Sequence, residues 1–157
     1  MLFLLAGVSC KKEKSAEVEV VETEVFFNVD SLPKPIPIHN KASEIIKDWQ
    51  EFKGLETTFE SLYRVDNRED LTLVIEDLIE KQKILEASSY PKAFDMPQIK
   101  SRQKVFKTYI LKTKGSLEYR TGVKESTLEM VTAYNALRNQ FGVLANSVLD
   151  TNLILNE

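Results

Sequence analysis

From Lys41 onward, apolar residues return every three or four positions, and that period leaves the chain few ways to fold. Ile45, Trp49, Phe52, Leu55, Phe59 and Leu62 form a first stripe, with Asn40 placed to cap it. Leu71, Val74, Ile75, Leu78, Ile79, Gln82 and Leu85 form a second, which Asp66 or Asn67 can cap. Ile99, Val105, Phe106, Tyr109, Ile110 and Leu117 form a third. It opens on Asp95-Met-Pro-Gln98, a capping-box spacing with Asp95 at the N-cap, and stops near Gly122. The fourth is the longest and runs through Leu128, Val131, Tyr134, Leu137, Phe141, Leu144, Ala145, Val148 and Leu149. Four amphipathic helices of roughly 20–27 residues follow, each about 30–40 Å long. Short connections over residues 64–67 and 121–124 favour antiparallel neighbours. The expected fold is therefore all-α, an antiparallel up-down four-helix bundle over residues 41–157. The alternative is a three-helix bundle whose long first helix runs through residues 64–67, where no proline stands in the way. No heptad run is strict enough for a long coiled coil.

Residues 10–40 read differently. Leu32 to Ile38 is LPKPIPI, and three alternating prolines favour extended polyproline II over helix. With the Glu- and Val-rich stretch before it, the segment reads as an extended tether. Val25, Phe27 and Val29 alternate at period two, which suits a short strand or an extended strip packed on the domain. Charge is segregated along the chain. Residues 13–30 hold six acids against one base, residues 66–86 seven acids against three bases, and residues 98–124 eight bases against one acid. Neighbouring acidic and basic faces are the simplest arrangement, and a basic face that meets an acidic partner is the other.

Leu2 to Val8 is a seven-residue apolar run, too short for a bilayer, which takes about 20 residues. It is followed by small residues, a cysteine and a charge cluster, the order found in a secretory signal. Gly7-Val8-Ser9-Cys10 resembles the lipobox of bacterial lipoproteins. The resemblance covers about ten residues. It implies a signal peptide over residues 1–9, acylation of Cys10 and attachment to a bacterial membrane. The outer membrane is the expected one, with the protein facing the periplasm or the cell surface. Several acyl chains at about 0.8 kcal/mol per buried methylene would hold it there.

The residues that catalysis and cofactor binding require are scarce. One Cys and one His, Cys10 and His39, rule out a disulfide framework and clustered His or Cys metal ligands. There is no C-x-x-C-H haem attachment, no E-x-x-H pair for a di-iron bundle and no H-E-x-x-H zinc motif. Nor is there a G-x-S-x-G elbow or a glycine-rich phosphate loop. Glu76, Asp77 and Glu80 read as a solvated helix face. No cofactor is expected. A net charge of −3 opposes nucleic acid as a partner, although tyrosines interleave with the lysines of the third segment. The expected interaction face joins Lys104, Lys107, Tyr109, Lys112 and Lys114 to Tyr134, Asn135 and Arg138 on the last helix. The leading expectation is a non-enzymatic helical binding or structural module with a protein partner in the cell envelope. A small-ligand binder or enzyme with a bundle-core pocket is one alternative. A periplasmic chaperone or stress sensor is the other.

Overall fold

The computed structural model describes residues 26–154, with side chains to residue 147. Cys10, the apolar run before it and Val25 lie outside the described residues, as do the side chains of Val148 and Leu149. The described chain is all-helical. A 3-10 turn over Val29–Ser31 leads through an extended segment to α1 (Asn40–Ile46) and α2 (Gln50–Ser61). A second 3-10 turn over Leu62–Arg64 leads to α3 (Arg68–Ala87), α4 (Pro97–Glu118) and α5 (Lys124–Ile154).

The first expected helix is two helices. The chain leaves helical geometry at Trp49, where ψ is 87°, and its N–H bonds back to Ile46 O at 2.8 Å. The break turns the indole inward. It is 3% exposed, stacks on Phe52 at 5.6 Å, touches Phe141 and Tyr90, and donates to Ser88 Oγ at 3.0 Å. Burying that ring with its N–H satisfied outweighs one unbroken helix. The other break is sharper. Val65 is extended and Asn67 sits at φ −149°, so no helix runs through residues 64–67. Asn67 caps α3 as expected, its side chain accepting from Asp70 N at 2.8 Å.

The ends of α4 differ from the expectation. Met96, not Asp95, is the N-cap residue, and it makes no side-chain cap bond. Pro97 supplies a first turn that needs no donor. Asp95 pairs with Lys100 at 2.5 Å instead. At the other end Arg120, not Gly122, takes the left-handed turn, with φ 51°. Thr121 N bonds to Ser116 O at 3.0 Å and Arg120 N to Leu117 O at 3.3 Å, the paired closure of a Schellman motif.

Contacts pair the helices in order along the chain. Thr58 of α2 bonds to Asp77 of α3 at 2.8 Å, and Lys107 of α4 to Glu86 of α3 at 2.6 Å. Lys112 of α4 meets Glu129 of α5 at 2.5 Å. Helix α5 returns to α2 through Phe52–Phe141 at 5.0 Å and Phe59–Tyr134 at 3.8 Å, and α1 lies against it. On α2 the buried positions are 52, 55, 58 and 59, continued by Leu62 of the 3-10 turn. On α3 and α4 they form a seam that alternates between steps of four and three, through 71, 75, 78, 82 and 85 and through 99, 103, 106, 110, 113 and 117. Val105 and Leu128, expected inside, fall off that seam and are 41% and 40% exposed.

Two positions carry avoidable backbone cost. A Cβ added at Gly115 would meet nothing within 4 Å, and Arg120 holds a conformation better suited to glycine. Gly115→Ala should raise stability by about 0.5–1 kcal/mol and Arg120→Gly by up to about 1 kcal/mol. Both are read as a higher urea midpoint at unchanged slope.

Candidate functional site

The extended segment before α1 is strapped to the helices. Val29 and Leu32 are buried, and Phe26, Phe27 and Ile38 pack partly against the core. Prolines 33, 35 and 37 have no N–H, so the segment cannot pair as a strand along its length. Side chains hold it instead. Tyr63 Oη donates to Pro33 O at 2.5 Å, and Lys34 lies over the Tyr63 ring at 4.2 Å. The Asn135 amide grips both sides of Pro35: it donates to Lys34 O at 3.2 Å and accepts from Ile36 N at 2.9 Å. Arg138 Nε donates to Ile36 O at 2.6 Å. His39 lies against Gly142, where an added Cβ would stand 3.4 Å from the histidine Cβ. A small residue there lets the strap approach α5.

Arg138 also donates to Glu56 Oε1 at 2.5 Å and to Tyr134 Oη at 3.2 Å. Tyr134 is buried, stacked on Phe59 and 5.1 Å from Phe106. Burial pushes its hydroxyl above the usual tyrosine range, partly offset by the nearby guanidinium. Tyr134, Asn135 and Arg138 thus meet the chain's own strap and core.

The lysines of α4 lie apart from that group. Lys107 reaches α3 at Glu86, Lys112 reaches α5 at Glu129 and lies over Tyr109 at 5.9 Å, and Lys114 pairs with Glu118 at 3.6 Å. The hydrogen bond it donates to Glu129 holds the Lys112 ammonium above its ordinary pKa. Basic α4 therefore sits between carboxylates of both neighbouring helices.

Lys104 opens instead on a cleft of 710 Å³ where α3 ends and α4 begins. Tyr90, Lys100 and Gln103 form its other main walls. Lys100 lies 5.3 Å from the Tyr90 ring centroid, and the Tyr90 hydroxyl donates to Gln103 Oε1. Burial raises the Tyr90 pKa. Gln103 is 2% exposed, and its Nε2 has no hydrogen-bond partner among the described residues. Sequence reasoning did not mark Gln103, because a glutamine at helical spacing looks like any surface position. An apolar groove of 350 Å³ lies between α4 and α5, lined by Val105, Tyr109, Leu128 and Ala136.

Among the described residues no group of His, Cys, Asp or Glu could hold a metal ion, and no helix is long and apolar enough to cross a membrane. Comparison with protein-family models, with curated proteins and with solved structures found no match.

Arg138→Ala should lower stability by about 2–3 kcal/mol in urea unfolding, since it strands the partly buried Glu56 carboxylate and the Ile36 carbonyl. Tyr63 gives a pH signature. Burial pushes its hydroxyl from 10.0 up to about 12, so the unfolded chain loses this proton first. Its contribution is intact below pH 10.0 and fades as pH rises towards about 12. Thermal melts across that window should show a falling midpoint, and Tyr63→Phe should flatten the fall.

Proposed function

We propose that the chain is a membrane-anchored envelope lipoprotein, in which α2 to α5 form an antiparallel up-down four-helix bundle acting as a non-enzymatic binding or structural module. In this reading Cys10 carries the lipid and the residues after it tether the domain. The bundle is supported by the order of the contacts. The start of α3 meets the connection after α4 at Arg68 and Thr121, late α3 meets α4 at Glu86 and Lys107, and α5 closes back on α2. Buried residues at alternating steps of three and four suit helices crossing at about 20°.

The observation that carries the reading is the grip on the strap. The polypeptide that leads from Cys10 is held by Tyr63, Asn135 and Arg138, groups on two different helices. A domain meant to stand off a membrane needs the chain that leads from its anchor fixed to its body, and a clamp on residues 33–36 supports that reading. The interior supports a packed module over a core-pocket enzyme, because Phe52, Phe59, Phe106, Tyr134 and Phe141 fill the centre with ring contacts. The partner remains a protein of the cell envelope, met through the outer faces of the helices.

The test is the intact mass of the protein extracted from cell membranes, beside a Cys10→Ala variant. The wild type should begin at Cys10 and carry added acyl mass, and the variant should carry none and leave the membrane fraction. A wild type without lipid would overturn the reading.

A further inference from the structure

Two apolar residues whose helical spacing points them inward are exposed instead, Val105 on α4 and Leu128 on α5. Both line the apolar groove between those helices, with Tyr109 and Thr132. The helices run in opposite directions along it, since Val105 lines it with Ala136 while Lys112 meets Glu129 farther on. Both pairings set Tyr109 level with Thr132. That level is the centre of a pattern. Val105 lies four residues before Tyr109, and Leu128 four before Thr132. Because the helices are opposed, the two stand about 6 Å from the centre on opposite sides. Arg102 lies seven residues before Tyr109 and Glu125 seven before Thr132. They stand about 10.5 Å from the centre, again on opposite sides. Both are exposed, and neither has an ion pair among the described residues. An apolar residue and a charge on one helix are thus matched, at equal distances, by an apolar residue and the opposite charge on the other.

We propose that this face is a homodimer interface, in which a second copy of the chain lies on the α4–α5 groove. The four residues fall on one diagonal across the two helices. A two-fold axis crossing the middle of that diagonal sets Val105 against Leu128 of the other copy, and Arg102 against Glu125 of the other copy. Each contact then occurs twice, as an isologous interface requires. Burial of the apolar side chains supplies the attraction, and the reciprocal charge pairs fix the register. Lys112 and Glu129 neutralise each other beside the groove. With two bases and two acids the face carries no net charge, so its field draws neither an acidic nor a basic partner, whereas a second copy matches it group for group. Acylation at Cys10 plays no part in this contact, so it stands or falls separately from the lipoprotein reading.

The experiment is sedimentation equilibrium of the full chain carrying Cys10→Ala, from about 1 μM to about 1 mM. That substitution removes both acylation and any disulfide through Cys10. The mass should rise from 18.0 kDa towards twice that value and stop there. Arg102→Glu or Glu125→Arg alone sets like charges together at both contacts and should raise the dissociation constant about tenfold or more. The two substitutions combined restore opposite charges in exchanged places and should return it to within about threefold of the starting value. Circular dichroism should show the helices intact in all three, since both residues are exposed. A monomer throughout, growth beyond two copies, a dimer indifferent to the single reversals, or a double reversal as weak as the singles would each overturn the proposal.

Discussion

One guanidinium ties together three stretches of chain that are far apart in sequence. Arg138 on α5 holds Glu56 on α2, the Ile36 carbonyl on the strap and the Tyr134 hydroxyl one turn back on its own helix. Its side chain is only 13% exposed. A largely buried charge is tolerable when its donors are matched by a carboxylate and by oxygens in fixed positions, and costly when they are not. Because the guanidinium is planar, satisfying Glu56 and Ile36 together fixes the strap's register on the helices. The Phe59–Tyr134 stack lies directly beneath it. Polar clamp and aromatic layer therefore specify the same alignment of α2 with α5.

The helices themselves were legible from spacing. The stripe through Leu71, Ile75, Leu78 and Leu85 follows from sequence alone, which also narrows its cap to Asp66 or Asn67. The seven-residue seam was partly hidden because polar side chains occupy it. Gln82, read as part of its stripe, is buried there, but Gln103 and Thr113 are buried on the seam too, and a count of apolar residues passes over them. Thr113 hides its hydroxyl by bonding to Tyr109 O at 3.0 Å. Gln82 has neither amide atom paired among the described residues. Polar groups at such positions favour one register over its neighbours at some cost in stability. Other features depend on tertiary contacts that no local pattern carries. The helix break at Trp49 exists because Phe141 and Ser88 lie where the indole can reach them. Asp95 abandons its cap role because Lys100 offers a charge.

The structure divides the expected interaction face in two, with the α4 lysines apart from Tyr134, Asn135 and Arg138. Tyr134, Asn135 and Arg138 do form one polar group, but the chain's own proline-rich segment occupies it. That segment looked like free tether because prolines remove the hydrogen bonds by which a docked strand is usually recognised. The charge blocks resolve into α4 lysines meeting Glu86 and Glu129. Each such surface pair contributes little alone. Together they disfavour any neighbour order that sets like charges side by side.

The strap also constrains the order of events when the protein is made. Its hydrogen bonds to Asn135 and Arg138 close over 99 to 102 residues of sequence. Synthesis runs from the N-terminus, so the strap emerges early, and the surface that receives it is finished only once α5 is complete. Closing so long a loop is slow and entropically unfavourable until the helices have already brought its ends together. The first described stretch of this chain to be synthesised is thus the last able to settle, and until it does the seam of α2 and α5 stands open.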